Sequence, residues 1–406
     1  MTEKPKQTSG LVVHELTFWE ATMIIVGANI GSGILGLPYS ARLGGFPILL
    51  LWLALAGTLV TVSMLYVAET SLRTHEPLQL PGLAEKYVGK LGSWLIFLSV
   101  VANSVGCMIA YMSGSGRILA ELLGISHSIG SLLFAIPCVV VVYLGLKATG
   151  VAEKIISWGM IILLITIIVA SLLSPSFDPA NVSYVSWKHA VPIFNVALFC
   201  YIAQYAVPEL ARGLRHQPKK LAPSVILGMG MTFTLLALVP LAVLGITGKD
   251  GVTEVATIAW GNTLGPWARI VGNLFALMAM MTSYWAVGGS MLTNIVDKFH
   301  IKSETDPKVR PWVVAAVTIP PFALAYSGLV SFVDAIYLAG TFGGVIMSII
   351  PVLMLNSARK NGDHEPEWTV SSRMSSKPVQ YAIIIIFCAA AVYAILSMFG
   401  VLPAGW

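Results

Sequence analysis

The chain is 406 residues long, 56% hydrophobic and only 11% charged, with a mean hydropathy of +0.82. A soluble domain carries about a quarter charged residues, so most of this sequence belongs in lipid. The net charge of +5 is met by loop lysines and arginines that orient a membrane protein and calls for no nucleic acid. The four cysteines (Cys107, Cys138, Cys200, Cys388) all lie in apolar runs and show neither a disulfide framework nor zinc-ligand spacing.

In chain order, Met1–Gly10 is polar, so 1–17 reads as a cytoplasmic tail and no cleavable signal is expected. Apolar runs long enough to span follow at 18–43, 46–72, 92–122, 128–146, 152–173, 190–211, 223–246, 267–296, 311–327, 330–356 and 379–400. The expected fold is therefore an all-α membrane protein of eleven transmembrane helices joined by short connectors. Spans 3 and 8 exceed the roughly 20 residues of a perpendicular crossing and are expected to tilt. With the N-terminus in the cytoplasm, nineteen of the 24 lysines and arginines fall on that side. Only Arg42, Arg117, Lys188, Lys249 and Arg269 fall on the other, which places the C-terminus outside.

Span 1 is interrupted at Asn29-Ile30-Gly31-Ser32-Gly33. Two glycines around a serine invite unwinding, and unwound backbone in a bilayer must be buried in protein or line a polar cavity. Carbonyls freed from one half and amides from the other can hold a cation and a carboxylate at one depth. The alternative reading is that Gly31 and Gly33 let a neighbouring helix approach. In span 3, Asn103, Cys107 and Tyr111 recur every four residues, on one face that lines a cavity or packs on a neighbour. Span 5 has no interior charge, since Lys154 stands at its start.

Span 6 holds Pro208, which weakens the backbone at Tyr201-Ile202-Ala203-Gln204 and puts the polar Gln204 at mid-depth. A proline kink is the plain account. Breaks in spans 1 and 6 are also what two five-helix halves of opposite orientation produce. In span 8, Thr282 and Ser283 are adjacent hydroxyls one turn after Ala279, either oxygen ligands for a cation or hydroxyls bonded to their own helix. Arg42 and Asp334 stand at the outer ends of spans 1 and 10, as an extracellular latch or as two separate interfacial charges. Glu209 follows Pro208 and either meets Arg212 or Arg215 or titrates during transport. Glu20 and Glu69 read as solvated helix ends. No paired-histidine metal motif, nucleophile elbow or P-loop lysine is present, so no enzyme is expected.

The stretch GANIGSGILGLPYSARLGG resembles the first helix of the amino acid/auxin permease family, a group that includes the bacterial aromatic amino acid permeases. Val207-Pro208-Glu209-Leu210 and Thr282-Ser283 extend the resemblance over the chain. It implies the leucine-transporter fold of the amino acid–polyamine–organocation superfamily. Residues 18–173 and 190–356 would then be inverted repeats, and 379–400 a peripheral helix. It further implies that the amides of Gly31, Ser32 and Gly33, beside Asn29, meet a substrate carboxylate, and that carbonyls near Cys200 and Tyr201 meet its ammonium. A cation site would comprise the carbonyls of Gly27, Ile30 and Ala279 with the hydroxyls of Thr282 and Ser283. Family members usually carry glycine in the sixth-helix break, where this chain has Tyr201-Ile202-Ala203-Gln204. Some proton-coupled cousins carry a lysine in mid-span 5, where this chain has none.

The expected function is thus secondary transport of an amino acid by alternating access; a channel or receptor using the same polar breaks is the competing class. A pocket drawn from Asn103, Cys107, Tyr201, Ile202 and Trp285 carries no charge, which suits a neutral, bulky or aromatic side chain. No cofactor is expected beyond a coupling ion, Na⁺ in preference to H⁺, because no carboxylate accompanies the five oxygens and Glu209 is the one titratable group nearby.

Overall fold

The computed structural model describes residues 15–144, 150–299, 301 and 306–402, with the backbone alone over 150–158 and at 338 and 398. Residues 1–14 of the expected tail, Lys147 and Lys302 lie outside these, as does the side chain of Lys154. Among the described residues there is no strand. The helices are α1 (Phe18–Asn29), α2 (Ser32–Ala41), α3 (Phe46–Leu72), α4 (Leu80–Val88), α5 (Lys90–Leu123), α6 (His127–Leu144), α7 (Gly150–Leu172) and α8 (Ala180–Ser183). They continue with α9 (Ala190–Phe199), α10 (Val207–Gly213), α11 (Leu221–Gly251), α12 (Ala256–Leu264) and α13 (Pro266–Lys298). The last are α14 (Arg310–Ser327), α15 (Phe332–Leu338), α16 (Val345–Asn361) and α17 (Lys377–Met398). Eight of the described helical spans are long and apolar enough to cross a membrane, and nine if α1 and α2, bent by 47°, form one span.

Contacts between connectors define two faces. On one, the Leu16 N–H donates to the Gly213 carbonyl at 2.9 Å, and ion pairs join Arg73 to Glu365 (3.1 Å), Lys298 to Glu85 (3.4 Å) and Lys219 to Glu367 (3.6 Å). This is the N face, since the chain enters the bundle there. On the opposite face the Ser186 N–H donates to the Gly44 carbonyl at 2.9 Å, and the Tyr184 hydroxyl donates to the Arg42 carbonyl. Burial pushes that phenol up to about 12, so it stays a donor at any ordinary pH. Arg117–Glu254 (2.7 Å) and Arg269–Glu121 (3.4 Å) tie the rest of this face.

Two short helices outside the expected spans repeat one another. α4 ends at Gly89 (φ 92°, ψ −178°) and leads into the long α5; α12 ends at Gly265 (φ 96°, ψ −174°) and leads into the long α13. Both corners need a positive φ that a side chain would strain, so glycine sits at each. α4 lies at the N face and α12 at the opposite one. Spans 3 and 8 cross the centre and pack on each other, while close approaches such as Gly228 of α11 against Ile25 of α1 are made through small residues.

Candidate functional site

The backbone leaves the helix twice at the centre. α1 ends at Asn29; Ile30 (φ −90°, ψ 83°) and Gly31 (φ −131°, ψ −138°) are non-helical, and α2 restarts at Ser32 with no side-chain cap. α9 ends at Phe199, residues 200–203 are irregular, a single 3₁₀ turn follows at Gln204–Ala206, and α10 starts at Val207. Pro208 lies in the first turn of α10, where its missing N–H costs no helical bond. The proline therefore restarts a helix and does not kink one. The two breaks touch: a Cβ at Gly33 would stand 2.5 Å from the Cys200 Sγ and 3.0 Å from the Phe199 ring. The amide end of α2 thus adjoins the carbonyl end of α9, a positive and a negative helix terminus side by side.

Tyr111 and Ser283 close over Gly31, whose Cβ would lie 2.9 Å from the phenol oxygen and 3.0 Å from Ser283 Oγ. Cys107 is buried one turn before Tyr111 on the same face of α5. Ser283 Oγ donates to the Ile30 carbonyl at 3.3 Å, so this pair from the expected cation shell is brought together. Two oxygens on adjacent corners of an octahedron with metal–oxygen distances of about 2.4 Å are about 3.4 Å apart, so the pair has a spacing a hard cation can use. Thr282 Oγ1 donates to the carbonyls of Met278 and Ala279, both at 3.1 Å, so it is bonded to its own helix. Several buried polar atoms around the breaks have no partner among the described residues: Asn29 Oδ1, Ser32 Oγ, Tyr201 Oη, Asn103 Oδ1 and Gln204 Oε1. Each such atom costs about 1–3 kcal/mol unless something polar reaches it.

From the break, α2 runs on towards the opposite face. There the ring of Phe332, wholly buried, is wedged between Gly36 of α2 and Gly114 of α5. Towards the N face, Glu20, Ile24 and Gly27 form an exposed stripe on α1.

Other expectations need correction. Arg42 and Asp334 do not form a latch: Arg42 stacks on the Tyr39 ring at 3.8 Å, and Asp334 accepts from Ser331 Oγ at 2.7 Å in a helix cap. Gly27 is exposed on α1, and the open space within 4 Å of its would-be Cβ bears on that side of the residue, not on the carbonyl expected to face a cation. Trp285 follows Ser283 by two residues, about 200° around α13, and so is not on the face that meets Ile30. Gln204 donates to Ser348 Oγ of α16 at 3.1 Å, and Ile202 packs on Gly344, the residue just before α16. Cys200 donates to the Val196 carbonyl at 3.3 Å. Asn103 packs on Gly343, within a π turn (Ala339–Gly344) that interrupts the tenth span, an interruption the apolar pattern does not reveal. Glu209 is exposed in the first turn of α10, and Arg212 and Arg215 turn to the Pro77 carbonyl (3.4 Å) and Glu15 (3.9 Å). Glu69 is no solvated end but wholly buried. Tyr111 was visible only as one member of a helical face; nothing in the sequence pairs it with Gly31.

A multi-pass membrane protein with two interrupted helices abutting at its centre is built as a transporter, not an enzyme. The chain belongs to the tryptophan/tyrosine permease family, which it matches over residues 14–396. It is similar to two proteins of Haemophilus influenzae. Tyrosine-specific transport system 1 is 23% identical over 353 residues, covering 84% of this chain and 88% of that protein. Tyrosine-specific transport system 2 is 23% identical over 358 residues, covering 83% and 86%.

Proposed function

We propose that this protein imports tyrosine or tryptophan across the cell membrane, coupled to a cation and working by alternating access. The observation that carries the reading is the abutment of the α2 amide end on the α9 carbonyl end, beside Tyr111 and unpartnered buried polar atoms. An amino acid presents one carboxylate and one ammonium, and these termini offer each a complement without a charged side chain. The carboxylate meets the amides of Gly31, Ser32 and Gly33. The ammonium meets carbonyls near Cys200, and the aromatic ring takes space now filled by Phe199 and Tyr201.

In this reading the fold is that of the leucine transporter, within the amino acid–polyamine–organocation superfamily, with eleven spans once α7 and α14 are included. The inverted repeats 18–173 and 190–356 are supported by the twin corners at Gly89 and Gly265 on opposite faces, and by α1 and α9 starting from opposite faces. The N face is cytoplasmic, as the lysine and arginine bias requires, and the arrangement described is closed to the outside. Na⁺ is the preferred coupling ion, held by the Ile30 carbonyl, Ser283 and the Thr282–Ala279 pair; H⁺ is the competitor. The test is uptake of labelled L-tyrosine and L-tryptophan into proteoliposomes under imposed Na⁺ or pH gradients. Competition by arginine or aspartate above every neutral amino acid would overturn the substrate class. Uptake unchanged in choline but driven by a pH gradient would overturn the ion.

A further inference from the structure

Residues 362–376, between α16 and α17, contain no helix, yet they are fastened along their length. The Asp363 N–H donates to the Arg73 carbonyl at 2.9 Å, and its carboxylate accepts from Lys86 Nζ (2.6 Å) and the His75 N–H (2.8 Å). Glu365 accepts from Arg73 at 3.1 Å. Val370, buried, donates its N–H to Glu69 at 2.7 Å and accepts from Arg359 at 2.9 Å. The Met374 carbonyl accepts from the Tyr66 hydroxyl, and Ser375 Oγ from Arg359 at 2.9 Å. Lys219, in the α10–α11 connector, meets Glu367 at 3.6 Å.

Glu69 is the centre of this fastening. Its carboxylate accepts from Arg73 Nε (2.9 Å), from Arg359 Nε (2.8 Å) and Nη2 (2.9 Å), and from the Val370 N–H. A buried carboxylate shared by two guanidinium groups is favourable in one geometry and costly when either partner moves away. The fastening crosses a particular seam. α3 flanks the interrupted helices, packing on α9, α10 and α11, and on its other side packs on α16. A shift of the interrupted helices with α3 relative to α16 would carry Arg73 along with Glu69 and break both Arg359 contacts together, which gives two discrete arrangements and no continuum between them.

We propose that 362–376 is a cytoplasmic strap that, gripped by Glu69, holds the transporter closed to the outside and must release in each cycle. The proposal rests on the transport reading above. The strap governs the rate of alternation and leaves the affinity of the substrate site alone.

The test joins the strap to α3 reversibly. Arg73→Cys with Glu365→Cys, reconstituted and treated with a short bifunctional methanethiosulfonate, is compared with the same protein after reduction and with the wild-type chain given the same reagent. Linked protein should lose at least tenfold of its L-tyrosine uptake and regain it on reduction, while L-tyrosine binding changes less than about twofold. Undiminished uptake by linked protein would overturn the strap. Tyr66→Phe, which removes one hydroxyl, keeps the question open if the double variant does not fold. Losing one hydrogen bond from the closed arrangement should raise labelling of Cys200 by a membrane-impermeant thiol reagent applied outside by about two- to tenfold, read by peptide mass spectrometry. Unchanged labelling overturns the proposal. If the wild-type chain moves neither tyrosine nor tryptophan but Tyr66→Phe still raises labelling, the strap stands and the substrate reading falls.

Discussion

Gly33→Ala isolates the junction of the two helix breaks. Alanine is intrinsically the better helix former by about 1 kcal/mol, so propensity alone favours the variant. The surroundings do not: the new Cβ would stand 2.5 Å from Cys200 Sγ and 3.0–3.1 Å from two Phe199 ring carbons. The thiol has to abandon its bond to the Val196 carbonyl, and α2 has to back away from α9. Overpacking of this kind costs about 1–3 kcal/mol, which outweighs the propensity gain at all but its lower end. Because the Gly33 amide is itself in the proposed carboxylate site, the displacement should appear as an L-tyrosine affinity about five- to thirtyfold weaker, measured with purified protein in detergent. Adding Cys200→Ala removes the nearer obstruction and leaves the ring contact, so the double variant should recover part of the loss. A coupling of about 1 kcal/mol in the double-mutant cycle is expected. Gly33→Ala binding as tightly as the wild type, or a double variant no better than the sum of its parts, would refute the abutment as the origin of the site.

Ser283→Ala should weaken Na⁺ stimulation of uptake more than Thr282→Ala does, because Ser283 alone of the two reaches across to the Ile30 carbonyl. Tyr201→Phe should leave thermal stability equal or slightly higher, since the buried hydroxyl has no partner among the described residues, while lowering the affinity of the proposed substrate site for L-tyrosine. Glu69→Ala leaves two arginines facing a buried void and should cost about 3–5 kcal/mol, read as a large drop in the melting temperature in detergent. The Lys86–Asp363 staple should be insensitive to pH over the ordinary range. The Lys86 ammonium and the His75 N–H hold the Asp363 carboxyl below its usual value, so its contribution is complete above that value and is lost only as pH falls through the depressed one. Partial burial lowers Lys86, but the hydrogen bond to Asp363 raises it on balance, so its contribution is complete below the usual lysine value and is lost only as pH rises through the raised one. Asp363→Asn should therefore lower the melting temperature equally at about pH 5.5 and pH 8.5.

Eight of the apolar runs, nine with α1 and α2 joined, coincide with described helical spans long and apolar enough to cross a membrane, because a bilayer imposes a long hydrophobic pattern on whatever crosses it. The first break was legible because Gly31 and Gly33 act through their own backbones. Contacts that depend on distant partners left no local mark. Thr282 and Ser283 are neighbours of the same hydroxyl type, yet one bonds its own helix and the other a carbonyl 253 residues away in sequence, and only the packing of α13 on α1 separates them. Glu69 read as a solvated end because its position near a helix terminus is what solvation looks like in one dimension. Its partners lie 290 and 301 residues on. Arg42 and Asp334 failed in the other direction: opposite charges at matching depth suggested a pair, but Ser331 and Tyr39 satisfy them locally.

The third interruption, at Ala339–Gly344, changes how the centre is to be understood. Three of its six residues are glycine, and its wall is formed by Asn103 of α5 and Phe199 at the end of α9. A π turn weakens the helical ladder locally, so α15 and its wedge Phe332 are joined to α16 by a segment of low intrinsic stiffness. The same α16 carries Arg359, which holds Glu69 and the strap at the N face. One helix therefore links the wedge above the site to the fastening below it, with its soft point beside the first two breaks. Under the proposed strap and alternating-access reading, release at Glu69 and withdrawal of Phe332 need not be concerted, because a bend at 339–344 can absorb one movement without the other. Stiffening that turn is then expected to couple the two gates more tightly and not simply to slow both.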